Sequence, residues 1–180
     1  MGFASAQYNL GFMYANGRGV PQDYEKAHMW WRLAADQGHA GAQYNLGLMY
    51  ANGRGVPQDD KEAVRWNRLA ADQGHAGAQY NLGVMYANGR GVPQDDKEAV
   101  RWNRLAADLG FASAQYNLGF MYANGRGVPQ DYEKAHMWYN ISAGNGNESA
   151  RKNRDLLAKE MTPEAVSQAQ ELASKWMESH

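Results

Sequence analysis

The chain has 180 residues, 18 of them basic and 19 acidic, for a net charge of −1. Near-neutrality removes the overall electrostatic pull toward nucleic acid or anionic lipid. The absence of cysteine excludes disulfide frameworks, thiolate zinc sites, iron-sulfur clusters and cysteine nucleophiles.

No nucleic-acid partner is expected from that charge, and no stretch approaches the roughly 20 apolar residues that a spanning helix needs, so membrane insertion is not expected either. The N-terminal run MGFASAQYNLGFMY lacks the basic n-region and small-residue cleavage site of a secretory signal. A targeting segment is therefore absent or removed, and the compartment, periplasmic or cytoplasmic, stays open.

That N-terminal run recurs. AQYNLG opens at Ala6, Ala42, Ala78 and Ala114, and NGRGVPQD at Asn16, Asn52, Asn88 and Asn124, a period of 36. Fixed-period self-similarity marks a repeat architecture, here one repeat domain over 1–180 with units 6–41, 42–77, 78–113 and 114–149. The second and third units differ only at Leu48/Val84, Gln73/Leu109, His75/Phe111 and Gly77/Ser113, and residues 2–30 equal 110–138. The units arose by recent duplication or by consensus design.

Each unit predicts two helices. In the second, Ala42, Leu46, Met49 and Tyr50 form the stripe of a helix A over about 39–51. Gly53 suits a left-handed cap and Pro57 forbids continuation. Asp59 with Glu62 makes a capping box that opens helix B, about 59–73, with Ala63, Trp66, Leu69 and Ala70 inward and Gly74 as its stop. Gly47 and Ala63 are small where the two helices approach closely. The first and fourth units carry Asp23-Tyr24-Glu25-Lys26 and Asp131-Tyr132-Glu133-Lys134 instead, keeping the cap and losing the box. A helical hairpin of this size cannot bury both faces alone, so the copies are expected to stack into a solenoid.

After Gly146 the period breaks. In NESARKNRDLLAKEM the residues Lys152, Arg154 and Asp155 replace the apolar face of helix A, and Thr162 with Pro163 starts a last helix over 163–178 whose inner stripe is Val166, Ala169, Leu172, Ala173 and Trp176. This helix pair, 147–178, reads as a terminal cap.

The pattern Ala42-x-x-x-Leu46-Gly47-x-x-Tyr50-x-x-Gly53-x-Gly55-Val56, then Asp59 and Ala63-x-x-Trp66-x-x-x-Ala70-Ala71-x-x-Gly74, resembles the Sel1-like repeat of bacterial type, a relative of the tetratricopeptide repeat. TPEAVSQAQELASKW is similar to the helix that closes bacterial members. The resemblance implies an all-α, right-handed αα solenoid of about five helical hairpins, used as a non-catalytic scaffold, with helix A lining a concave groove. By that similarity the groove is lined by Tyr8, Asn9, Phe12, Tyr44, Asn45, Leu48, Asn52, Tyr80, Asn81, Val84, Tyr116, Asn117 and Phe120. Tyrosine offers rigid contact area and asparagine bonds a peptide backbone in either direction, so the expected partner is a protein or peptide segment. The groove reads as neutral and aromatic, its loop arginines (Arg18, Arg54, Arg90 and Arg126) lying outside it.

No cofactor and no metal are expected. His39 and His75 sit one period apart, too far to share an ion, and Glu25 with His28, repeated as Glu133 with His136, reads as a polar pair on a solvated face. NGRGVP lacks the strand that makes a phosphate loop, so its glycines serve the turn. Ser149-x-x-Lys152 matches one motif of β-lactam-recognising hydrolases, unaccompanied by the others. A hydrolase and a repeat array without a ligand are the competing readings. The first unit has interior chemistry and no cap, so either further repeats precede it or another copy covers it, and the second case predicts a dimer through the apolar surface of Phe3, Phe12, Tyr14 and Trp31.

Overall fold

The computed structural model describes residues 2–180; among the described residues there are ten α-helices and no strand. They form two compact units, one ending at Gln94 and the other beginning at Asp95. In the first, α1 (Gly2–Asn16), α2 (Tyr24–Asp36), α3 (Ala40–Asn52), α4 (Asp60–Asp72) and α5 (Ala76–Asn88) follow in order, each packed on the next. In the second, α6 (Asp96–Asp108), α7 (Ala112–Asn124), α8 (Tyr132–Gly144) and α9 (Glu148–Leu157) do the same, and α10 (Pro163–Ser179) returns to lie on α8. The expected helices A and B of the second repeat are α3 and α4.

Helix ends follow the local chemistry. Gly53 takes a φ of +62° and its N–H caps the Met49 carbonyl. Asp59 Oδ1 accepts from the backbone N–H groups of Lys61 and Glu62 at 2.9 and 3.1 Å. The return arm of the expected capping box is not made. Asp59 already donates its own N–H to the Tyr50 carbonyl at 3.0 Å, and the Glu62 carboxylate pairs with Arg65 at 3.1 Å. Asp23 and Asp131, which lack the box, each gain a lysine ammonium instead, from Lys26 at 3.1 Å and Lys134 at 2.9 Å.

Small residues let the helices close up. Ala27, Ala34, Ala42, Ala63 and Ala70 are fully buried, with Trp31 and Trp66 filling the space between hairpins. Gly47 faces Asn67 so closely that a Cβ would overlap its amide. A buried glutamine then ties each helix A to the helix before it: Gln43, Gln79 and Gln115 donate to the carbonyls of Ala35, Ala71 and Ala107 at 3.1–3.2 Å. Gln73 and Asn145 in turn donate to Gln43 and Gln115. Among the described residues Gln79 Oε1 has no hydrogen-bond partner.

The second glycine of NGRGVP does more than serve its turn. At Gly55 (φ +73°) a Cβ would lie 2.6 Å from the Tyr24 carbonyl, and at Gly91 (φ +71°) it would run into the Asp60 carbonyl. Here the loop of one repeat rests on the first residue of helix B in the repeat before it.

The histidines are structural. His39 and His75 are N-caps whose Nδ1 accepts from the N–H of Ala42 and Ala78 at 3.2 Å. The expected solvated Glu–His face is not found. His28 is half-buried with Nε2 3.3 Å from the Tyr50 hydroxyl, and His136 is 2% exposed. Burial pushes His28, His75 and His136 below the ordinary 6.5, helped at His28 by Arg32 and at His136 by Arg154. The folded chain therefore binds fewer protons than the unfolded chain just below pH 6.5, so this stability is complete above that pH and is lost as pH falls toward the depressed values. Thermal unfolding at pH 7.5 and 5.5 is expected to show a lower midpoint at 5.5. Equal midpoints would contradict the linkage.

Candidate partner-binding clefts

On a helix, positions i, i+3 and i+7 share a face. On α3 these are Asn45, Leu48 and Asn52. With Met49 they form one wall of a cleft of about 250 Å³; Phe12, Ala15 and Asn16 of α1 form the opposite wall, and Tyr24 and Trp31 of α2 close its back. Gln22 and Arg54, from the two loops, stand at its mouth.

A second cleft, of about 180 Å³, adjoins it across α3. Leu48, Ala51 and Asn52 now supply the first wall and Asn81, Val84 and Met85 of α5 the other, with Asn67 behind and Arg90 at the mouth. Position by position this is the first cleft moved along by one repeat, Leu48 standing for Phe12, Asn81 for Asn45 and Arg90 for Arg54.

Phe12, Asn45, Leu48, Asn52, Asn81 and Val84, expected on the partner face, thus come together in two neighbouring clefts. Asn9 is exposed on α1, and Phe120 is 40% exposed on α7. Asn117 donates to Asn103 Oδ1 at 3.3 Å.

The tyrosines stand elsewhere. Tyr8 stacks on His39 and Tyr44 on His75, each with ring centroids 4.5 Å apart, and both are half-buried. Burial raises the Tyr44 phenol above its ordinary value. Tyr80 is half-buried, and Tyr116 lies 5.7 Å from the Tyr139 ring with its hydroxyl accepting from Asn153 at 3.3 Å. The rings of Tyr8, Tyr44 and Tyr116 thus pack against rings of neighbouring segments. Gly77 lies against the Tyr44 ring, where a Cβ would stand 3.2 Å away, so the Gly77/Ser113 difference falls on this packing, whereas Leu48/Val84 falls in the clefts.

The clefts are not the neutral groove that the sequence suggested. Arg54 and Arg90 fold back from their loops to the mouths. Arg90 is compensated by Asp60 at 2.7 Å, while the Arg54 guanidinium lies over the Tyr24 ring, 5.1 Å from its centroid. Among the described residues no three His, Cys, Asp or Glu side chains gather as metal ligands, and no helix is long and apolar enough to cross a membrane.

The family model for the Sel1 repeat matches four consecutive segments, 4–39, 40–75, 76–111 and 112–147, each starting two residues before the units marked by AQYNLG. The chain belongs to the Sel1 repeat family. Its ten helices in tandem are the all-α solenoid of that family. The fold matches the Sel1 repeat protein of Oxalobacter formigenes with a TM-score of 0.81 and 37% identity, over 96% of this chain and 71% of that one. It matches c5321, a protective antigen of uropathogenic Escherichia coli with the same repeat fold, with a TM-score of 0.67 and 30% identity over 97% of this chain. The aligned region is 45% of that antigen, so this chain spans less than half of its length. Cysteine rich protein B of Helicobacter pylori shares the fold at a TM-score of 0.58 and 20% identity, over 73% of this chain and 94% of that one. No curated protein matches the chain. Sel1 repeat proteins generally act as scaffolds for protein interaction.

Proposed function

We propose that this Sel1 repeat protein is a non-catalytic scaffold that holds an extended peptide segment along the helix-A clefts of its first compact unit. The recurrence of one cleft at the repeat period is the observation that carries this reading. Each copy pairs apolar side chains in its walls with an asparagine amide, so a chain lying across them finds a pocket for a side chain and a donor or acceptor for its backbone at each step. Leu48 and Asn52 belong to both copies, which makes α3 the centre of the surface. The hydrolase reading has no such support, since Ser149 and Lys152 are both exposed on α9.

Selection of random peptides displayed on phage tests the proposal. Peptides selected on the wild-type protein are expected to lose about tenfold or more in affinity on Leu48→Asp, roughly 1.4 kcal/mol, and to keep it on Leu69→Asp, a control on a leucine that the sequence pattern places inward and that the structure leaves 41% exposed. The reverse pattern would place the interaction on helix B.

A second reading is self-association through the first hairpin, favoured by the exposure of Phe3, 75% accessible on α1. Sedimentation at micromolar concentration is then expected to show a dimer that Phe3→Ser dissolves. A strict monomer would discard it.

A further inference from the structure

The repeats are near-copies, so a residue that differs in one of them while the residue it would pair with stays the same marks a place where that repeat meets something different. Arg90 Nη2 reaches Asp60 Oδ1 at 2.7 Å, and Arg126 Nη2 reaches Asp96 Oδ1 at 2.8 Å. In both pairs the carboxylate stands 30 residues before the arginine, and the residue 30 before Arg54 is the uncharged Tyr24. Among the described residues Arg54 has no carboxylate in ion-pair range; its guanidinium stacks on the Tyr24 ring. The amides follow the same pattern. Asn81 donates to Asn67 Oδ1 at 3.2 Å and Asn117 to Asn103 Oδ1 at 3.3 Å, whereas the residue at the matching distance before Asn45 is Trp31. The Trp31 indole N–H is spent on the Tyr8 carbonyl at 3.1 Å, which leaves the Asn45 amide without that bond.

Both departures fall on the first cleft. It presents an uncompensated guanidinium and a free carboxamide beside an aromatic wall, where the second cleft has an internal ion pair and an amide pair. Arginine binds a carboxylate through charge-assisted, often bidentate hydrogen bonds, stronger than neutral ones. From this asymmetry we infer that the first cleft is a subsite for an acidic side chain of the bound segment, a reading that rests on the proposed peptide-binding role of the clefts. The partner's Asp or Glu carboxylate takes, beside Arg54, the place that Asp60 and Asp96 take beside Arg90 and Arg126. An apolar neighbour of that residue enters between Phe12, Trp31 and Leu48, and Asn45 bonds the segment's backbone.

The test uses pools of random dodecapeptides, amidated at the C-terminus, with one central position fixed as Glu, Gln or Lys, measured by fluorescence anisotropy on the whole protein. The wild type is expected to hold the Glu pool about three- to tenfold tighter than the Gln pool. Arg54→Gln is expected to bring that ratio to about one, and so is Tyr24→Asp, which supplies the carboxylate in cis as Asp60 does in the next repeat. Arg90→Gln leaves the ratio unchanged, because Arg90 is already compensated. Thermal unfolding of Tyr24→Asp and Arg54→Gln checks that both variants are folded, since the second also removes the stacking of Arg54 on Tyr24. Equal binding of the Glu and Gln pools, or a preference that survives Arg54→Gln, overturns the subsite. If Leu48→Asp still abolishes binding in that case, the peptide-binding reading stands without it. A preference seen only with free C-termini overturns the side-chain assignment, and no binding of any pool to the wild type overturns both readings.

Discussion

Gly91→Ala is expected to destabilise the protein by about 2–5 kcal/mol, against about 1–2 kcal/mol for Gly74→Ala. Both glycines hold a positive φ, +71° and +82°, so each substitution carries the penalty of placing a Cβ in the left-handed region. They differ in what the Cβ meets. At Gly74 there is nothing within 4 Å; at Gly91 it runs into the backbone carbonyl of Asp60. Backbone cannot step aside as the end of a flexible side chain does, so relief requires the loop to lift from α4. That motion also strains the Arg90 to Asp60 ion pair, which crosses the same contact. Urea denaturation of the two variants measures the difference, and equal losses would show that the turn alone, not the contact between repeats, requires glycine at position 91.

Trp138→Ala is expected to cost about 3–5 kcal/mol, the range for emptying a fully buried aromatic site. The indole is 0% exposed, meets the edge of Trp176 at 5.3 Å between centroids, and carries the Arg104 guanidinium 4.8 Å above its ring. It is the floor on which α10 rests, so its loss releases that helix as well as leaving a cavity. Its Nε1 has no hydrogen-bond partner among the described residues, so Trp138→Phe forfeits no bond and is expected to cost less than about 2 kcal/mol. Guanidinium denaturation gives the two values, and limited proteolysis between α9 and α10 is expected to accelerate in the alanine variant only. An alanine variant as stable as the phenylalanine one would mean that α10 is held by other contacts.

The period, the hairpins and the caps were legible because each rests on a local rule. Gly53 ends a helix and Asp59 starts one through groups within a few residues of themselves. What was not legible depends on neighbours a whole repeat away. Tyr44 carries the same side chain whether it lines a groove or stacks on His75, and only the spacing of successive helices decides for the second. Gln43 and Gln79 look like surface amides in a one-dimensional pattern, yet they are buried because the carbonyls of Ala35 and Ala71 need a donor there. The sequence places the loop arginines outside the groove, since nothing local turns a loop back onto it. The distinction of the first cleft was present in the sequence, in Tyr24 against Asp60 and Trp31 against Asn67. Locally Tyr24 reads as a change of helix cap and Trp31 as an apolar surface residue, because the partners Arg54 and Asn45 lie in the following repeat.

The central claim is that a peptide lies on the helix-A clefts, and side-chain amide spectra test it most directly. With ¹⁵N-labelled protein and a peptide selected on the wild type, the amide signals of Asn45, Asn52 and Asn81 are expected to shift and saturate together with the binding isotherm. Unmoved asparagine signals, with changes confined to the backbone amides of Leu33, Leu69 and Leu105, outward on the second helices, would contradict it.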